Sequence, residues 1–417
     1  MNTYSSYKES GVEWMGEIPS GWKVERIKYV FSKREEKSST GEEELLSVTI
    51  HEGIVPRREY IKEDDHISRS SSLVGYKICY KDDLVNNIMK MGFRCLGISD
   101  YDGIVSPGYS VFHFSDKKNI PKYWNYLLRT DLYVTEYKKR SKGIQESRMR
   151  LYDDYFVDIY TLIPTIQEQQ QISNYLDHKT QQIDSLIEKT QQKIELLKEQ
   201  RTSLINQVVT KGLSPDVEMK DSGVEWIGEI PIHFDLVKLK YLCSVKTGNK
   251  DTQDRVEDGE YPFYVRSPII ERINSYSFEG ESVLTVGDGV GTGKVFHYVN
   301  GKFEYHQRVY KFSDFRKITG KFFYWFIKHH FIFVTEDQNS KSTVDSLRRP
   351  MIDGFQFVLP PLQEQQQIVD HLDKETTKID STIEKETQRI ELLKEYRQSL
   401  ISEVVTGKVD VRDEVVV

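Results

Sequence analysis

Over residues 164–209 the apolar positions advance by alternating steps of four and three: Ile183, Ile187, Ile194, Leu197, Leu204 and Val208, with Thr190 and Arg201 as polar members of the same series. Such steps place every member on one helical stripe, a heptad seam. Gln, Glu and Lys fill the other faces, and beyond Pro164 neither Gly nor Pro interrupts the run. The series returns at Ile379, Ile383, Glu386, Ile390, Leu393, Arg397, Leu400 and Val404. The pattern predicts two helices of roughly 45 residues, each about 65 Å long. A lone helix would leave its stripe in water, so the economical arrangement packs the copies together as an intramolecular coiled coil. Gly212 is the expected stop of the first helix, and the residues at 404–408 echo those at 208–212.

Elsewhere the pattern shortens to strands bounded by Gly, Asp and Ser. Residues 45–50, 77–80 and 109–114 read this way, as do 281–286 and 307–312. Pro121 opens a helix carrying Tyr123, Trp124, Tyr126, Leu127 and Leu128, which runs on into the basic tract at 138–142. A strand over 156–163 then leads to Pro164. Residues 322–327 answer the first aromatic helix, with Trp325 aligned to Trp124.

These halves repeat. Gln-Glu-Gln-Gln-Gln-Ile stands at 167–172 and 363–368, and Ile-Glu-Leu-Leu-Lys-Glu at 194–199 and 390–395, both at an offset of 196. A decapeptide containing Gly-Val-Glu-Trp spans 10–19 and 222–231 with one difference, Met15 for Ile227, at an offset of 212. The intervening segment is therefore shorter by 212 − 196 = 16 residues in the second half. Segments 20–163 and 232–359 share little sequence, so a duplicated frame holds two different fillings. The organisation read from this is a lead-in at 1–19, a first domain at 20–163 and a helix at 164–212. A linker with the second lead-in follows at 213–231, a second domain at 232–359, a helix at 360–408 and a tail at 409–417. Gly11 and Gly16 argue against a helical lead-in, whose Trp14 would plug into a neighbouring domain.

Composition refines this only slightly. A chain of 417 residues, 38% hydrophobic and 29% charged, suits two to three soluble domains. Cys79, Cys95 and Cys243 form no CxxC pair, which favours a reducing compartment and disfavours structural zinc. With no basic start before an apolar run, and with the greasiest stretch (322–334) broken by Lys328, His329 and His330, a cytoplasmic location is expected.

The chemical decoys fail on inspection. Gly287-Asp-Gly-Val-Gly-Thr-Gly-Lys294 has Asp288 where a phosphate loop needs its first Gly and Val295 where it needs Ser or Thr, so a tight hairpin is expected. Pro215, Asp216, Glu218 and Lys220 carry the letters of a nuclease motif but lie contiguous in a linker, unlike ligands drawn from separated strand ends. His329 and His330 would make a metal pair only with further ligands nearby, and a helix end or exposed turn is expected instead. No catalytic centre and no metal site is read.

The constructive signals are cations. Lys138, Lys139, Arg140, Lys142, Arg148 and Arg150 follow the first aromatic helix; Lys341, Arg348 and Arg349 follow the second. Lys90, Arg94, Arg266 and Arg308 are further candidates of the same kind, and Gln145 and Gln307 are candidate base readers. Lys and Arg supply charge for phosphates, whereas base edges need donors and acceptors at fixed geometry. A net charge of −7 opposes nucleic-acid binding, although clusters such as Glu42-Glu43-Glu44 hold much of the acid. The competing reading is a duplicated coiled-coil scaffold that binds proteins only.

Pro164, Glu168, Gln169 and Ile172, repeated as Pro360, Glu364, Gln365 and Ile368, resemble the junction between recognition domain and spacer helix in specificity subunits of type I restriction–modification systems. The duplicated lead-in and long helices fit the same family over nearly the whole chain. The resemblance implies an α+β chain with a pseudo-two-fold repeat. Its fillings would be two mixed α/β target recognition domains, separated by two helices forming an antiparallel coiled coil. Each domain would read one half of a bipartite, asymmetric site in double-stranded DNA, and the coil would set the gap. The chain would be non-catalytic and bind no cofactor or membrane. Two modification subunits would bring S-adenosylmethionine and the adenine-N6 methyltransferase centre. Restriction subunits would bring ATP-dependent, Mg-requiring endonuclease activity. Basic faces on the modification subunits would offset the net acidity.

Overall fold

The repeated lead-in turns back on itself. Its first copy pairs β1 (Tyr7–Glu9) with β2 (Glu17–Pro19) in a computed structural model describing residues 2–60, 72–143, 149–289, 291–331 and 346–414, the side chain of Tyr60 excepted. Gly11 and Gly16 sit at φ +74° and +63°, and Gly223 and Gly228 repeat this at +69° and +68°. Few residues but glycine take these values without strain. The turn aims Trp14 inward, where it meets the Tyr133 ring edge-on at 5.2 Å.

The chain forms two compact units, Met1–Lys189 with Arg389–Val417, and Thr190–Gln388. The first continues with β3 (Lys23–Arg26), β4 (Phe31–Arg34), β5 (Leu46–Val48), β6 (Ile54–Pro56), α1 (Arg57–Tyr60), β7 (Lys77–Cys79), β8 (Leu84–Asn87), β9 (Leu96–Ile98), β10 (Gly103–Val105) and β11 (Tyr109–Phe114). Then come α2 (Pro121–Leu128), α3 (Asp131–Arg140), α4 (Asp153–Val157), β12 (Tyr160–Ile163) and α5 (Ile166–Lys211). The main sheet runs β4-β11-β8-β9. Its aromatic core includes Phe31, Phe112, Trp124, Tyr133, Tyr137 and Phe156, all fully buried.

The second unit holds β13 (Met219–Asp221), β14 (Glu229–Pro231), β15 (Asp235–Lys238), β16 (Ser244–Thr247), β17 (Tyr261–Tyr264), β18 (Ile270–Ile273), β19 (Phe278–Val286), β20 (Phe296–Tyr305) and β21 (Val309–Ser313). It closes with α6 (Gly320–His330), α7 (Arg349–Gly354), β22 (Gln356–Leu359) and the start of α8 (Leu362–Val405). Its sheet runs β16-β21-β19-β20-β17-β18, the first four strands repeating the order of the first unit's sheet. The pairs β3–β12 and β15–β22 correspond residue for residue, Arg26 opposite Tyr160 and Lys238 opposite Gln356. The α+β class and the internal repeat therefore hold.

Both long helices cross the unit boundary, and each unit pairs them antiparallel. In the first, Arg397 forks onto Asp184 at 2.9 and 3.2 Å, while Ile183 and Ile187 share a core with Leu393 and Leu400. In the second, Arg201 forks onto Asp380 at 2.8 and 3.2 Å, and Ile205 and Val209 pack with Ile368 and Leu372. The polar seam members Arg201 and Arg397 are thus matched to carboxylates 196 residues apart (380 − 184). Of the expected seam, Ile183, Ile194, Ile390 and Leu400 are buried, and Ile187, Leu197, Leu204, Ile379, Ile383 and Leu393 half-buried. Gly212 and Gly407 follow the helix ends at φ +73° and +75°.

Four local expectations change. The aromatic helix stops at Leu128, because Thr130 is extended (ψ 155°) and turns its hydroxyl back to Leu127 O at 2.9 Å; α3 starts afresh. Phe156 belongs to α4, not to a strand, filling the core beside Tyr137. The glycine-rich stretch joins β19 to β20 as a hairpin, but through a long connection rather than a tight turn. Trp325 corresponds to Tyr126 rather than Trp124, since Trp325 Nε1 and Tyr126 OH donate to the equivalent carboxylates Asp373 and Asp177.

Candidate nucleic-acid interface

The frame residues hold each sheet domain to its helix. Gln169, fully buried, donates to Pro164 O at 3.2 Å and accepts from Ile120 N at 3.1 Å, at the entrance to α2. Gln365, also fully buried, donates to Pro360 O at 2.8 Å and Lys317 O at 2.9 Å and accepts from Thr319 N at 2.9 Å, at the entrance to α6. Glu168 accepts from Trp22 Nε1 at 3.1 Å, and Glu364 contacts His233 Nε2 at 3.0 Å. Asp177 binds Lys122 as Asp373 binds Lys321. The repeated motif is a junction whose buried amide satisfies backbone groups that would otherwise be orphaned.

In the first unit several candidate cations are engaged by carboxylates, and several lie at the surface. Arg94 is spent on Asp131 and Arg140 on Glu136, the latter at 2.7 Å. Lys139 also lies 4.0 Å from Glu136. Lys90, Lys138, Lys142 and Arg150 are exposed and share a neighbourhood. Lys90 precedes the turn Met91–Phe93, on which Lys138 lies with its ammonium 5.7 Å from the Phe93 ring centre. Lys142 and Arg150 exchange backbone hydrogen bonds at 2.8 and 2.9 Å, and Leu151 N donates to Ile88 O at 2.9 Å. Lys142 covers the Tyr155 ring at 5.2 Å, and Phe93 and Tyr155 remain 41% and 45% exposed. Lysines held over exposed rings at a surface are suited to contacting phosphates. Gln145 and Arg148 lie outside the described residues.

The second unit gathers its candidates at one end of the sheet. Arg266 follows β17 and Arg308 precedes β21, and both face Asp288, which follows β19. Gln307 donates to Asp251 at 2.7 Å. His306 lies 3.7 Å from the same carboxylate, and burial pushes its imidazole pKa down. Arg348 is exposed next to Leu347, whose amide donates to Gly287 O at 2.8 Å. Arg349 instead joins Asp353 at 2.7 Å and Val245 O at 3.0 Å, which makes it a staple of α7. Lys341 lies outside the described residues.

Sequence reasoning missed Asp251, Asp288, His306 and the exposed Lys294. Asp288 had registered only as the residue that breaks a phosphate loop. Lys294, in the same connection, could have been found by asking which cations flank strand ends. Among the described residues no group of three or more His, Cys, Asp or Glu could hold a metal, and no helix is long and apolar enough to cross a membrane. His329 and His330 are packed against aromatic rings, with His330 Nδ1 donating to Phe326 O at 3.0 Å.

Residues 231–394 match the family model described as the type I restriction modification DNA specificity domain. The specificity subunit of the type I restriction enzyme EcoDI from Escherichia coli is 29% identical over 181 residues, 43% of this chain and 40% of that relative's length. The MjaVIII specificity subunit from Methanocaldococcus jannaschii is 24% identical over a 450-residue alignment covering 98% of both chains. A solved chain from a study of the assembly and conformational transition of the type I R-M system matches with a TM-score of 0.65, at 16% identity, over 94% of this chain and 99% of that one. The HsdS subunit from Thermoanaerobacter tengcongensis matches at 0.57 and 14% identity, over 94% and 98%. These two likenesses are of fold.

Proposed function

We propose that this chain is a type I restriction–modification specificity subunit, as its similarity to such subunits suggests, and that it reads a two-part sequence in double-stranded DNA. Each unit's sheet domain reads one half, and the paired helices set the gap. The observation that carries this is the duplicated glutamine junction. Gln169 and Gln365 fix two dissimilar domains to equivalent helices by equivalent bonds. A frame repeated that closely around different contents suits a holder for two independent readers.

The chain itself is non-catalytic in this reading. Modification subunits would bring S-adenosylmethionine, and restriction subunits ATP and Mg. Leu196 and Leu392, both 64% exposed at the same position of the repeated Ile-Glu-Leu-Leu-Lys-Glu, offer one apolar knob twice, as two copies of a single partner would use. Lys90, Lys138, Lys142 and Arg150 would hold phosphates in the first unit, and Lys294 and Arg348 in the second.

The test is selection from a randomised duplex library by the chain assembled with its modification subunit. The expected product is a gapped motif, with affinity falling log-linearly in salt as phosphate contacts release counterions. An assembled complex that binds no duplex DNA would leave the protein-only scaffold as the better reading.

A further inference from the structure

We infer that Arg308, braced by Asp288, reads a guanine in the half-site of the second unit, a claim that rests on the proposed DNA-reading role. Phosphate binding and base reading make opposite demands on a side chain. A phosphate anchor needs uncompensated charge, and a nearby carboxylate works against it. A base reader needs its donors held in one geometry, and a carboxylate that takes one arm of a guanidinium supplies that.

Arg308 meets the second demand. Its backbone is pinned on both sides: Arg308 N donates to His306 Nδ1 at 3.0 Å, and Gly287 N donates to Arg308 O at 2.8 Å. The flanking Gln307 N donates to Lys250 O at 2.8 Å. Gly287 has no room for a side chain, since a Cβ would stand 2.9 Å from Arg308 O. The side chain gives Nη1 to Asp288, while Nε and Nη2 make no hydrogen bond among the described residues, and it stays 57% exposed. An arginine so held, with a free edge at the tip of a sheet, matches the paired acceptors O6 and N7 of guanine in the major groove. Arg266 shares the same carboxylate at 3.5 Å and backs the brace. Lys294, exposed and without an ion-pair partner among the described residues, is the contrasting phosphate anchor in the same connection.

The experiment repeats the library selection, with the chain assembled on its modification subunit, for Arg308→Ala, Arg308→Lys, Asp288→Asn and Lys294→Ala. Arg308→Ala should cost roughly 5- to 150-fold in discrimination for guanine at a single position of one half-site. The other half-site and the salt slope should not change. Arg308→Lys keeps the charge but loses the fork, so it should relax the same position even if the alanine variant fails to fold. Asp288→Asn should relax that position and raise binding to unrelated duplex. Lys294→Ala should keep the motif and flatten the salt slope by about one unit. An unchanged motif in Arg308→Lys, or a flattened slope with intact guanine preference in Arg308→Ala, would overturn the assignment while leaving DNA reading intact. No gapped motif from the unsubstituted chain would overturn the underlying reading as well.

Discussion

At the junction of helix and sheet the two units use one set of contacts, and in their sheets they part. Gln169 and Gln365, Asp177 and Asp373, Gly212 and Gly407 do the same mechanical work in both copies. Their sheets share a four-strand order, yet the second adds β17 and β18 and gathers its cations around Asp288, whereas the first spreads them over a turn and the end of α3. The lesson is one of constraint. A buried amide that must satisfy two or three backbone groups tolerates no other side chain, while a strand end facing solvent tolerates many.

The largest test of that contrast removes the amide. Gln365→Ala strands three backbone partners and Gln169→Ala two, so the first should cost its unit about 3 kcal/mol and the second about 2 kcal/mol. Hydrogen exchange read separately for each unit during denaturant unfolding checks both. Equal and negligible costs would show that the repeated motif is not a clamp.

Acid should separate the units next. Burial pushes His330 down to about 4, and burial together with the charges of Lys328, His330 and Arg201 pushes His329 down to about 3. Both lie in the second unit, and the corresponding residues of the first are Thr130 and Asp131. Between pH 6.5 and 4 the unfolded imidazoles bind protons that the folded ones refuse. Stability of the second unit is therefore full above 6.5 and declines as pH falls through that window, by up to about 3 kcal/mol for His330. Proteolytic susceptibility measured across this range should rise for the second unit first, and His330→Phe should blunt the effect.

The smallest difference lies in the coil. Arg397–Asp184 and Arg201–Asp380 are equivalent forked pairs, but Arg201 also lies 5.9 Å from the Trp325 ring centre. Partly exposed pairs are worth about 0.2–1 kcal/mol, so Arg201→Ala should exceed Arg397→Ala by about 0.5–1 kcal/mol through the ring contact. Paired melting curves of the two variants decide it.

The frame was legible in the sequence because its signals are local: heptad steps, repeated words, and glycines at helix ends. The sheet order was not, since strand pairing joins residues far apart, as β4 joins β11. The same distance hid the state of the cations. Nothing near Arg94 announces Asp131, and Gln307 finds Asp251 across 56 residues. Charge can be counted in a sequence, but whether a charge is already answered is decided by the fold. Trp325 misled for a related reason, because letter identity suggested Trp124 while the hydrogen bond to Asp373 fixes its counterpart as Tyr126.

The most direct measurement exchanges residues 232–359 for the corresponding segment of a known specificity subunit and maps adenine methylation in cells that also carry the proposed modification partner. The account predicts that one half of a gapped motif changes while the other half stays as it was. Both halves changing together, or neither, would contradict two independent readers on a duplicated frame.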